Sequence, residues 1–150
     1  MATGINIKEL FGEEIDSATE LCLKVFNEFE APEYTKYGAE EFCRFIRNRG
    51  FISLLRYFGA FDGERMAGII AIRGGCHIAL FFVKGEYHRQ GIGRRLFERA
   101  KKECGEKITV NSSPYALKIY RRLGFKETDG EQSVNGLRFT PMEYQEVKTG

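Results

Sequence analysis

The residues whose types and spacing are best suited to chemistry run from Val83 to Leu96, Val-Lys-Gly-Glu-Tyr-His-Arg-Gln-Gly-Ile-Gly-Arg-Arg-Leu. The glycines leave positions without a Cβ, where an anion can approach the main chain. An apolar helical period, Ile92, Leu96, Phe97 and Ala100, begins directly behind them. The start of that helix aims unpaired N–H groups and its positive dipole end at the same point, which makes a phosphate cradle. Arg89, Arg94 and Arg95 add charge around it. A dinucleotide-binding loop would need glycine where Leu96 stands and parallel β-α-β surroundings. A Walker loop would need Gly-Lys followed by Ser or Thr, which is absent. A turn that binds nothing is the plainer alternative, and the helix terminus behind the glycines favours the phosphate.

Three other sets of residues are chemically able. Tyr120 carries a phenol that can donate a proton, although it shares an apolar helix face with Ala116, Ile119 and Leu123 and is equally a packing residue. Glu28, Glu30, Glu33 and Tyr34 cluster in the connection between the first two helices, where any single glutamate reads most simply as solvated. Asn111 and Ser113 precede the helix of Tyr120. His77 and His88 lack cysteine or carboxylate partners at ligand spacing, so no metal site is expected. Cys22, Cys43, Cys76 and Cys104 are far apart without C-x-x-C spacing and read as free thiols.

The elements that must hold these residues follow from periodicity. Ile5 and Ile7 alternate in a first strand, and Ala18, Leu21, Cys22, Val25, Phe26 and Phe29 make a helix behind Ser17-x-x-Glu20, which has capping-box form. A second helix is predicted over 40–49, ended by Gly50. Strands over 52–61, 66–73 and 77–84 are joined by the tight-turn pairs Asp62-Gly63 and Gly74-Gly75. Then come the helix behind Gly91, a short strand at 108–111, a helix from near Pro114 to Gly124, and strands at 125–128 and 137–145. The order β-α-α-β-β-β-α-β-α-β-β specifies an α/β (α+β) fold with a mixed, mostly antiparallel sheet.

Bulk properties fit this picture. The 150 residues suit one domain, and 43% hydrophobic with 29% charged residues is ordinary globular composition. The 23 Lys and Arg against 21 Asp and Glu give no general pull toward nucleic acid or membrane. With no basic-then-apolar leader in residues 1–10 and no long apolar run, a cytoplasmic location is expected. The 13 Phe and 7 Tyr mostly build the core, with an apolar acceptor pocket as a further use; Phe51, Tyr57 and Phe58 are not assigned to substrate.

The segment His88-Arg89-Gln90-Gly91-Ile92-Gly93 resembles motif A of the GNAT superfamily of N-acetyltransferases, in which Gln or Arg, two residues, Gly, one residue and Gly or Ala follow one another. His88 stands where Gln or Arg is usual. Ala116-Leu117-Lys118-Ile119-Tyr120-Arg121-Arg122-Leu123-Gly124-Phe125 is similar to the family's motif B, with Ser113 at the place of its Asn. The resemblance covers nearly the whole chain and implies a single domain over 1–150. It also implies acetyl-CoA as cosubstrate. Main-chain amides from His88 through Arg89, Gln90, Gly91, Ile92 and Gly93 to Arg94 would bind the pyrophosphate. Phe81, Phe82 and Val83 would meet the pantetheine arm where two strands splay apart, and the side-chain contact of motif B's Asn would fall to Ser113 or to Asn111 two residues earlier.

The implied reaction is direct attack of an amine on the thioester through a tetrahedral oxyanion, held by a main-chain N–H near Phe82 or Val83. Tyr120 would protonate the leaving thiolate, and Glu28, Glu30, Glu33 and Tyr34 would shape the site of a small-molecule or peptide amine. Many proteins of the family are dimers, which makes a homodimer one expected assembly. Two other functions compete: a non-catalytic acyl-CoA-binding regulatory module, and a protein-interaction domain on the same scaffold.

Overall fold

The computed structural model describes residues 4–146; residues 1–3 and 147–150, the ends of the expected domain, lie outside the described residues. Strands β1 (Ile5–Leu10), β2 (Arg56–Asp62), β3 (Arg65–Arg73) and β4 (His77–Val83) form successive antiparallel pairs. The β2–β3 turn places Gly63 at φ 63°, and the β3–β4 turn places Gly75 at φ 75° and Cys76 at φ 58°. Strand β5 (Lys107–Ser112) runs parallel to β4, and β8 (Leu137–Gln145) is antiparallel to β5. Two short strands, β6 (Lys126–Glu127) and β7 (Gln132–Val134), pair with β8. The sheet order is β1-β2-β3-β4-β5-β8-β6, so the mixed, mostly antiparallel sheet is as expected.

Alternation along the central strands gives the sheet two buried faces. Phe58, Ile70 and Ile72 pack with Ile92, Leu96 and Phe97 of α4 (Ile92–Lys101) and with Tyr120 and Leu123 of α5 (Leu117–Leu123). Tyr57, Ile69 and Ala71 face the other way, onto α1 (Glu13–Val25), α2 (Lys36–Ile46) and α3 (Arg49–Ser53). Among the described residues no helix is long and apolar enough to cross a membrane.

Several boundaries differ from those expected. Helix α1 starts at Glu13 behind Gly12, with Glu13, Glu14 and Asp16 in its first turn facing the positive dipole end, so Ser17 lies inside the helix and caps nothing. Thr35 accepts the Gly38 N–H at 3.1 Å and starts α2 at Lys36. Asn48 accepts the Phe51 N–H at 3.0 Å and starts α3, so Gly50 sits within a short helix and β2 begins only at Arg56. Ser113 and Pro114 form a turn, in which Ser113 Oγ accepts the Ala116 N–H at 3.2 Å, so α5 begins at Leu117. Its Ile119 is 42% exposed, and Leu117 packs toward the core instead.

Two of the four cysteines are not free. Cys76 and Cys104 form a disulfide with Cα atoms 5.7 Å apart, while Cys22 and Cys43 are free thiols. The turn before β4 carries Cys76 to the chain just past α4, a juxtaposition across 28 residues that local spacing does not reveal.

Candidate active site

The site lies where β4 and β5 part. These strands pair only at His77 with Thr109 and Ile78 with Val110, and then diverge. At the start of the divergence His77 Nδ1 and Thr109 Oγ1 are 2.9 Å apart. Lys84 N–H donates to the Ala67 carbonyl on β3, so by strand alternation Phe82 shares that edge while Phe81 and Val83 turn their main-chain groups toward the gap. The Val83 carbonyl has a partner already. His88 Nε2 lies 2.7 Å from it, and because a carbonyl only accepts, the proton sits on Nε2. Phe29 packs on the His88 ring with centroids 4.9 Å apart and helps hold it there.

Behind β4, a tight turn over Gly85–Tyr87 ties the His88 N–H to the Gly85 carbonyl at 3.1 Å. The predicted run of free amides therefore begins one residue later, at Arg89. Arg89 (φ 63°) and Gly91 (φ 79°) both take the left-handed conformation that curls this loop into the start of α4. The first-turn N–H groups of Ile92, Gly93 and Arg94 have no carbonyl four residues back within the helix. The Ile92 side chain is buried in the core, so only its main chain is available. A Cβ added at Gly93 would meet the Phe81 ring at 3.7 Å, an ordinary contact, so the fold itself does not demand glycine there. Arg94 donates to the Arg122 carbonyl and Gln90 to the Glu86 carbonyl, which braces the loop.

The predicted acid and two of the four predicted acceptor-site residues meet in one cavity of about 440 Å³, which reaches from the gap toward α2. Tyr120, Glu30, Tyr34, Asn111, Ser113 and Phe81 line it. Glu28 and Glu33 do not: both side chains are exposed. Glu30 owes its inward position to a local widening of the helix after α1. Over Phe26–Glu30 the bonding changes to five-residue spacing, closed by Ala31 N–H to the Phe26 carbonyl. Wider turns of this kind recur at functional sites. Periodicity alone had extended an ordinary helix to Phe29 and gave no sign of this change.

Glu30 is 9% exposed and is the one buried Asp, Glu, Lys or Arg among the described residues. Burial pushes its carboxyl up to about 7; a hydrogen bond with Ser113 opposes the rise and the nearby Glu33 charge adds to it. Burial also pushes the Tyr120 phenol far above its usual range, and the Glu30 charge pushes it further. Its ring is held edge-on between Phe81, at 6.0 Å, and Phe125, at 5.3 Å. Tyr34 donates to the Arg138 carbonyl at 3.2 Å, linking the acidic connection to β8.

The far wall is aromatic. Phe26 stacks on Phe42 with centroids 4.0 Å apart, Phe45 packs on Phe51 at 4.1 Å, and both pairs line the cavity. The sequence alone assigns none of the four to the acceptor, and Phe51 is among the aromatics it leaves unassigned. It reaches the site because α3 folds it back under α2. A tight contact holds α2 in place: a Cβ on Gly38 would lie 2.3 Å from the Gly136 carbonyl oxygen in the turn before β8.

Solved structures with this fold span the chain almost end to end. A GCN5-related N-acetyltransferase structure from Rhodopseudomonas palustris superposes with a TM-score of 0.83 at 16% identity, covering 95% of this chain and 96% of that one. YjaB from Escherichia coli, in its apo form, gives 0.75 at 20% identity over 93% and 97%. The PaiA N-acetyltransferase of Thermoplasma acidophilum, solved with coenzyme A, gives 0.67 at 19% identity over 95% and 99%. At such identities these likenesses show the fold. No curated protein matches the sequence. The sequence profile of the family described as "Acetyltransferase (GNAT) domain" matches residues 30–146, and so the chain belongs to the GNAT acetyltransferases.

Proposed function

We propose that the protein transfers an acetyl group from acetyl-CoA to a primary amine, with Glu30 as general base and Tyr120 as general acid. One observation carries this reading: a buried carboxyl titrating near neutrality and a buried, protonated phenol line the same cavity at the parting of β4 and β5. The cosubstrate supplies an activated acyl group on a thioester. The amides of residues 89–94 hold its pyrophosphate, and Phe81 and Val83 offer their main-chain edge to its arm opposite Asn111 and Ser113. That N–H edge favours Val83 over Phe82 as the oxyanion donor, since Phe82 turns its main-chain groups toward β3.

Glu30 takes one proton from the entering ammonium, which frees the nitrogen lone pair. The C–N bond forms, the C–S bond breaks, and Tyr120 gives its proton to the sulfur. The second proton leaving nitrogen restores the phenol, and Glu30 returns its own to solvent, so one proton is released overall. The two residues are coupled: once Glu30 is protonated, the charge that holds the Tyr120 proton is gone. The neighbour solved with coenzyme A supports the choice of cosubstrate. A cytoplasmic location and a homodimer, the latter checked by light scattering, are part of the same proposal.

The test is acetyl-CoA titration followed by thiol release with a panel of amines, with the acetylated product identified by mass. Binding with amine-dependent thiol release is expected. Binding without release from any amine would leave a regulatory acyl-CoA-binding module, and no binding at all would leave an interaction domain.

A further inference from the structure

The cavity's charges are few and arranged asymmetrically. Its carboxylates are Glu30 and Glu41, and Glu41 is already paired with Arg44. Its cationic side chains are Arg73 and Arg138. Burial and the Arg73 charge lower the His77 pKa, so His77 is neutral at pH 7. One unpaired carboxylate can therefore receive one ammonium; Arg138 is paired with Glu131, and a second positive charge would find no free carboxylate in the lining and would meet Arg73. The wall built by the Phe26–Phe42 and Phe45–Phe51 pairs is apolar, and a further ring would find edge and face partners there. Phe45 is 50% exposed at the mouth, and a bound apolar group would reduce that exposure.

We infer that the acceptor is a singly charged primary amine carried on an aromatic body, its ring among Phe42, Phe45 and Phe51 and its ammonium toward Glu30. This rests on the acyl-transfer reading and narrows it to one substrate class. Polyamines are excluded as good substrates, because their extra charges would be buried without a carboxylate partner.

The test compares phenethylamine, ethylamine and spermidine as acceptors at fixed acetyl-CoA. The kcat/KM for phenethylamine should exceed that for ethylamine by about a hundredfold or more, since even one methylene in an apolar pocket is worth roughly 10-fold to 200-fold. It should also exceed that for spermidine. Phe45→Ala, at a half-exposed position the fold can spare, should narrow the ratio of phenethylamine to ethylamine. Spermidine or ethylamine used as well as phenethylamine would overturn the inference and leave acyl transfer standing. With no turnover of any amine, the acyl-transfer reading fails, and a thermal-shift titration decides this inference. A rise in Tm with phenethylamine that spermidine does not give would support an aromatic-amine site, and no rise would overturn it.

Discussion

At the scale of single residues, the fold asks opposite things of two buried acids. Tyr120 is held protonated, ready to act as a donor. Tyr120→Phe keeps its ring between Phe81 and Phe125, so acetyl-CoA affinity and Tm should stay close to the parent. Its kcat should fall by about 10²-fold, the typical worth of general-acid assistance, as measured by single-turnover thiol release. Glu30 must instead be ionised to work, so kcat should rise with pH to a plateau above about 7. The same shift acts on stability. The folded state binds the Glu30 proton more tightly than the unfolded chain, so this group's contribution is full below about pH 4.5 and is lost as pH rises through about 7. Glu30→Gln should remove that loss. Its Tm relative to the parent should climb across this window in thermal melts, while turnover at pH 7 drops. A flat difference would mean that Glu30 titrates like an exposed carboxylate.

At the scale of elements, the cradle can be tested without disturbing the fold. A Cβ at Gly93 meets the Phe81 ring and the Val83 side chain at ordinary contact distance, and alanine is the better helix former by up to about 1 kcal/mol. Gly93→Ala, a residue the motif itself allows there, should therefore keep or raise the Tm and keep acetyl-CoA affinity, whereas the bulkier Gly93→Leu should weaken acetyl-CoA in calorimetric titration. Unchanged affinity in the leucine variant would place the pyrophosphate elsewhere. The elements that build this cradle were legible because their signals are local: short apolar runs in β3 and β4 bounded by tight-turn pairs, glycines before α4, and the apolar period of Ile92, Leu96 and Phe97. What escaped was non-local or subtle. The widened turn over Phe26–Glu30 costs one residue of phase that no composition marks, yet it decides that Glu30 faces inward while Glu28 and Glu33 face solvent. Asn48 and Thr35 outweighed a lone glycine in setting the ends of α2 and α3, and so placed Phe51 in the cavity wall.

At the scale of the whole molecule, the bridge from Cys76 to Cys104 ties the beginning of β4 to the segment just past α4. Closing a loop of this length is worth about 3.5 kcal/mol in the chain-entropy account, so reduction should lower unfolding free energy by roughly that amount in denaturant titration. Cytoplasmic glutathione would keep the pair reduced, so alkylation of both thiols on rapid lysis is the result that a cytoplasmic location requires. The parting of β4 and β5 has a consequence of its own. A sheet with an internal seam keeps main-chain groups at Phe81 and the Val83 N–H that a closed sheet would spend on its neighbour strand, while the Val83 carbonyl is held by His88, and whatever docks there stitches the two halves together. Conformational stability then becomes a function of metabolic supply. At a cosubstrate concentration a hundred times its Kd, the folded state gains about 2.7 kcal/mol by mass action. A cell short of acetyl-CoA would hold a chain that opens more often along this seam, with amide exchange fastest in the second half of β4.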